Sequence, residues 1–301
     1  MPKIFSPQEV FHGEFPSVAH MQDAASTSAR LLQQAHHKGD VVAASSYGSL
    51  YNDDGQFNRT SDIDWLIVFE SLERMMDSTE YTEMQRVLQV AHIPFGSPAL
   101  SMENVKCGNH LIGPLLHGVK QSVCRIVIGN DPVELFRSHG IKKNSREIFS
   151  RMFGSYPRYF YEGIPANLQD ARDDDEVLAS LLQRSIDYFI DTYRSMIVMN
   201  AHEEDYSVPL DFATYEGLYE GTIPPSAMEC GKRIHSFIGQ YKTLIQVTMP
   251  KVEQGGEAER QEEARMYASA LLGHLSAVKD AVLFCQANIE CFRHAFPSCS
   301  R

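Results

Sequence analysis

Two aspartates one residue apart, Asp62 and Asp64, stand directly before the apolar run at 65–69. In an extended chain the side chains alternate, so the pair projects to one side and Ile63 to the other. Neighbouring carboxylates repel unless a cation lies between them. A divalent ion with hard oxygen ligands suits that place, because Mg²⁺ commonly takes one or two carboxylates plus substrate phosphates. Ser49 stands thirteen positions earlier, with Gly48 before it. A glycine lets a phosphate approach the backbone. The amides of Ser49 and Leu50 can then point at that phosphate, and the Ser49 hydroxyl can donate to an oxygen of a leaving pyrophosphate. Arg59, three residues before Asp62, has the fork that meets a triphosphate bidentately. This is the chemistry of a metal ion and a nucleoside triphosphate.

Such residues need a sheet to hold them. Residues 41–45 are β-branched and small, which suits a strand ending just ahead of Gly48. Residues 62–69 form the next strand, joined to the first by a polar loop with the turn signal Asn52-Asp53-Asp54-Gly55. A helix is expected over 21–37, ended near Lys38-Gly39-Asp40, and an irregular arm over 1–20. An amphipathic helix follows at 79–91, with Met84, Val87, Leu88 and Ala91 inward. Residues 93–100 read as a strand without a single acid. Residues 123–128 read as a buried strand, and Asp131 is placed to cap a helix that begins at Pro132.

The pair Gly48-Ser49 followed by Asp62-x-Asp64 between apolar flanks resembles the signature of the DNA polymerase β-like nucleotidyltransferase superfamily. The wording Thr60-Ser61-Asp62-Ile63-Asp64 is close to its small-molecule and protein nucleotidyltransferase branch. The Gly129-x-Asp131-Pro132 turn also resembles the end of that superfamily's core. The resemblance covers roughly residues 25–137. It implies transfer of a nucleoside monophosphate, AMP foremost, from ATP or another NTP to an acceptor hydroxyl on a small molecule or protein, with release of pyrophosphate. It implies Mg²⁺ (or Mn²⁺) on Asp62 and Asp64, and Gly48, Ser49, Arg59 and Ser61 around the nucleotide. A third carboxylate, acting as general base, belongs on a neighbouring strand. The acid-free strand at 93–100 departs from that pattern. Glu103 is the nearest candidate and Asp131 the next. The departure keeps a second reading open, a catalytically degenerate nucleotide-binding or partner-binding module of the same fold.

A net charge of −12 and a pI near 5.4 disfavour nucleic acid as a partner, which needs a basic footprint. A small-molecule or protein acceptor suits the acidity better. None of the six cysteines forms a C-x-x-C pair, so thiol-zinc chemistry lacks support and reduced thiols in a cytoplasm are expected. The first fifteen residues lack the apolar core of a secretory signal. No membrane span is expected, since no run of about eighteen apolar residues stands out.

Beyond residue 137 a basic, aromatic stretch runs to about 175. It reads as an amphipathic helix, or as a surface for phosphate and base. Long helical patterns then follow at 176–201, 226–248 and 257–296, with a loop or short-turn region at 209–225 and breaks at Met249-Pro250, at Gly255-Gly256 and near Gly273. The histidines of this half, and His110 and His117 before it, read as structural. The chain is thus expected to be α+β, with a nucleotidyltransferase-type mixed sheet and flanking helices over 1–140 and a helical bundle over 141–301.

Overall fold

The small and β-branched residues Val41–Tyr47 form strand β1, and it is central in a four-stranded sheet. Antiparallel neighbours lie on both sides of it, β2 (Asp64–Phe69) and β4 (Val127–Gly129). A short strand β3 (Ala99–Ser101) runs parallel along the outer side of β2, so the order is β3-β2-β1-β4. The computed structural model describes residues 3–47, 62–90, 99–106, 119–120, 122, 125–139, 174–200 and 208–295.

All six residues of β2 are buried, and alternation deals them to two cores. Ile63, Trp65, Ile67 and Phe69 pack against helix α2 (Val18–His37), through Met21 and Leu32, and α4 (Thr79–Val90), through Met84 and Leu88. Leu66 and Val68 point the other way, onto Val105 of α5 (Met102–Lys106) and Val133 and Phe136 of α6 (Pro132–Ser138). The indole of Trp65 also donates to Ser28 Oγ of α2, at 3.3 Å. A register shift between Val41 and Ala43 turns β1 by one residue. Ala43 and Tyr47 therefore lie on the α6 side, and Ala44 on the α2 side. Between β2 and α4 a short helix α3 (Leu72–Asp77) starts at an Ser71 cap.

β4 ends in a tight turn that only glycine fits comfortably. Gly129 has φ +66°, and a Cβ there would stand 2.5 Å from the Val42 carbonyl oxygen and 2.8 Å from the His36 ring. Asp131 then caps α6 by accepting from the Val133 amide at 2.9 Å, the role expected of it.

The remaining helices form a second unit: α7 (Asp175–Asn200), α8 (Phe212–Tyr219), α9 (Pro225–Gln254), α10 (Glu257–Gly273) and α11 (Ser276–Ala295). Its centre is aromatic. Phe189 and Tyr193 of α7, Phe212 and Tyr215 of α8 and Phe284 of α11 have ring centroids 4.9–6.2 Å apart. Gly231 of α9 makes room for this, since a Cβ there would stand 2.8 Å from both Phe212 and Phe284.

Three expectations need correcting here. The arm at 1–20 is not irregular, because Ser6 and Glu9 form a reciprocal capping box that starts α1 (Pro7–His12). This segment, with Ile4, Phe5 and Val10 buried, belongs to the helical unit. The region expected as loop or short turns at 209–225 contains α8, capped by Asp211. α9 continues past Pro250 to Gln254. Apart from these, Glu257–Phe292 passes for a membrane span by length and composition alone. In this unit the stretch is broken at His274-Leu275, and it turns Tyr267, Leu271, Val278 and Phe284 inward.

Candidate functional site

The site is built at the end of the sheet where β1 finishes and β2 starts. Tyr47 is the last residue of β1 and is the direct cross-strand partner of Asp64, the first of β2. Gly48 and Ser49 follow Tyr47 in the chain and lie outside the described residues, as do Arg59 and Ser61. Ile63 and Trp65 are both packed on the α2 side, so alternation sends Asp64, and Asp62 before it, toward the α6 side. Tyr47 packs against the core of that same side. Asp64 is 7 % exposed, whereas Asp62 is half-buried. The pair thus joins one carboxylate sunk in the sheet to one nearer the rim.

Glu103 is not part of this arrangement. β3 runs parallel to β2 with Ile67 beside Ala99 and Phe69 beside Ser101. Glu103 follows β3 and so lies past the C-terminal end of β2. Asp64 is five residues back along that strand, about 17 Å at ~3.3 Å per residue. The exposed Glu103 carboxylate is held below the usual range, first by the Ser101 hydroxyl and then by its own amide. The Leu72 amide at the start of α3 also contributes. Those partners mark the far end of the sheet, and Glu103 acts there as a local cap. The residues leading into β3, 91–98, lie outside the described residues and contain no acid in the sequence.

Asp131, the other candidate third carboxylate, is committed elsewhere. Besides capping α6 it accepts both terminal nitrogens of Arg125, Nη1 at 3.1 Å and Nη2 closer still. Burial pushes its carboxyl up, but the Arg125 and Val133 hydrogen bonds outweigh that and leave it below the ordinary carboxylate value. It is a ligand of arginine and backbone, poorly suited to taking a proton.

No family model, curated protein or solved structure matches this chain.

Among the described residues no three His, Cys, Asp or Glu side chains converge into a ready-made metal site. Two carboxylates on one side of a strand start are a fitting donor set for a hard ion that takes its remaining ligands from phosphate and water. They are a poor set for zinc in a structural role, which wants four protein ligands. His110, His117 and most of the basic, aromatic stretch also lie outside the described residues. Arg125 carries no expectation in the sequence, and the structure sets its guanidinium on Asp131 at the start of α6. The one available signal was its position six residues before an Asp that starts a helix.

Proposed function

We propose that the sheet unit is a nucleotidyltransferase of the DNA polymerase β-like kind. It would move a nucleoside monophosphate, AMP foremost, from an NTP to a hydroxyl of a small molecule or protein. The observation that supports this best is the Tyr47–Asp64 pairing on one side of the sheet. Directly opposed antiparallel residues have Cα atoms about 4.5–5.5 Å apart, and consecutive Cα atoms are about 3.8 Å apart. β1 therefore ends beside Asp64, and Gly48-Ser49 are the next residues in the sequence.

In this reading an acceptor oxygen attacks the α-phosphorus in line. A new P–O bond forms, the bond to the β-phosphate oxygen breaks, and pyrophosphate leaves with that electron pair. Asp62 and Asp64 hold a divalent cation, Mg²⁺ or Mn²⁺, which would neutralise phosphate charge and acidify the acceptor hydroxyl. Ser49 and the amides after Gly48 hold the leaving end. The work of the protein is positioning and charge compensation. The acceptor's proton would pass to water once the cation has acidified the hydroxyl.

A second reading is favoured by where the candidate third carboxylates lie. Glu103 lies at the wrong end of the sheet, Asp131 is engaged with Arg125, and residues 91–98 have no acid. A site with only two carboxylates can bind a nucleotide without turning it over. The test is incubation with α-labelled ATP and Mg²⁺, with an aminoalcohol and aminoglycoside panel and with cell lysate as acceptor sources. Transfer of label that is lost in Asp64→Asn supports the enzyme. Mg²⁺-dependent ATP binding with no transfer to any acceptor supports the degenerate module. Absence of binding refutes both.

A further inference from the structure

The β1–β4 ladder brings a cation to the side of the sheet that the aspartates face. Ser45 pairs with Val127, and the Ser46 amide donates to the Ile126 carbonyl at 3.0 Å while the Ile126 amide donates to Ser46 Oγ at 2.8 Å. Antiparallel pairing thus persists to residue 126. Carried two residues past the start of β4, the same register would set Arg125 level with Tyr47, whose partner on the other side is Asp64. Alternation places Arg125 on the same side as Tyr47, and its side chain agrees, because it reaches Asp131 at the start of α6. Asp64 and Tyr47 are paired across β2 and β1, and Arg125 stands two residues before β4 on the next strand over. With strands about 4.8 Å apart, β4 lies roughly 10 Å from β2, a gap that a long arginine side chain beside β4 spans in part.

Arg125 is also oriented. Two of its five N–H donors go to the Asp131 carboxylate, which fixes the plane of the guanidinium. Both partners are only about one-fifth exposed. Asp131 caps α6 through the Val133 amide without help from the arginine, so the helix start by itself does not require this cation. Lys120 lies nearby and also helps hold the Asp131 carboxyl low.

We propose that Arg125 is a phosphate-binding residue of this site, with Asp131 as the positioning residue that holds it on the side of the sheet shared with Tyr47 and Asp64. The proposal rests on the nucleotide reading above. Arg125 contacts the non-transferred phosphates and offsets the charge of the departing pyrophosphate. Asp62 and Asp64 face the other end of the triphosphate.

The test is calorimetric titration of Mg²⁺ with inorganic tripolyphosphate, and of Mg²⁺ with ATP, into the full chain. Arg125→Ala is expected to weaken both about 10- to 100-fold, as loss of one or two charge-assisted hydrogen bonds implies. Arg125→Lys, which keeps the charge but not the fork, is expected to fall between, with an unchanged thermal midpoint. Should Arg125→Ala fail to fold, Arg125→Lys carries the comparison. Wild-type affinity for both probes in the folded arginine variants, with binding lost in Asp64→Asn, overturns the role of Arg125 and leaves the nucleotide reading standing. If the wild type binds neither probe, the nucleotide reading falls and Arg125 falls with it.

Discussion

Tyr47 and Asp64 are partners on the last rung of the β1–β2 ladder, both turned to the side of the sheet that α6 covers. Asp64 is only 7 % exposed and stands two positions from a second carboxylate. Asp64→Asn keeps the shape and removes the charge. Label transfer from ATP is expected to drop by at least about 100-fold, while the thermal midpoint stays within about 2 °C of wild type. Transfer assays beside calorimetric melting check both. A midpoint lowered by more than about 5 °C would make Asp64 a structural residue.

Glu103→Gln gives the complementary control. Register sets Glu103 about 17 Å along the sheet from Asp64. Turnover of α-labelled ATP is expected to remain within about twofold of wild type. A large loss would show that the β3 register does not describe the working enzyme.

Gly129→Ala is expected to destabilise the sheet unit by about 2 kcal/mol or more. The left-handed backbone alone costs a β-carbon about 1 kcal/mol. A contact of 2.5 Å with the Val42 carbonyl, which belongs to the central strand and cannot easily yield, adds to it. Urea titration followed by Trp65 fluorescence reads this unit, because Trp65 is the only tryptophan in the chain.

Tyr267→Phe tests how the first residues are anchored. The Tyr267 hydroxyl donates to the Phe5 carbonyl at 2.6 Å. Tyr241 accepts from the Phe5 amide at 3.0 Å and donates to the Lys3 carbonyl at 2.8 Å. Removing one hydroxyl leaves a buried carbonyl unpaired, at about 1–3 kcal/mol. Burial pushes both phenols well above their ordinary value. A folded-state value above the unfolded one, about 10, means the contribution is whole below about pH 10 and is lost as pH climbs toward the folded values. Circular-dichroism melts between about pH 8 and 11 should show stability falling at the alkaline end, less steeply in Tyr267→Phe.

Asp191 of α7 gives a pH dependence on the acid side. Burial first, and the neighbouring Asp187 charge second, push its carboxyl up to about 6. The folded state therefore holds this proton more tightly than the unfolded chain. Its contribution is complete below about pH 4 and is lost as pH rises through about 6. Relative to Asp191→Asn, the wild type should gain urea resistance as pH is lowered from about 7.5 to 5. Parallel curves for the two proteins would refute the assignment.

The helical repeats were legible because burial and sequence period coincide: Leu178, Leu181, Leu182, Ile186, Phe189 and Ile197 are all buried in α7. The two central strands and the Asp131 cap were legible for similar local reasons. Pro250 misled, because tertiary packing of Met249 and Val252 carries α9 through a residue that normally stops a helix. α8 was hidden in a short segment rich in loop-formers. At the site, nearness in sequence pointed to Glu103, whereas the parallel register of β3 decides against it. Arg125 lies 61 residues from Asp64, and only the strand order β2-β1-β4 brings their parts of the chain to the same sheet.

The anchoring of Ile4, Phe5 and Val10 among α7, α9 and α10 has a consequence for biosynthesis. These residues leave the ribosome more than two hundred codons before the tyrosines that receive them. At about 5–20 residues per second, that interval is roughly 10–50 s. The sheet unit can fold within it, while the greasy leading peptide has no home until Tyr267 emerges. A message that stops early would release a chain with that peptide still bare, a ready substrate for chaperones and proteases.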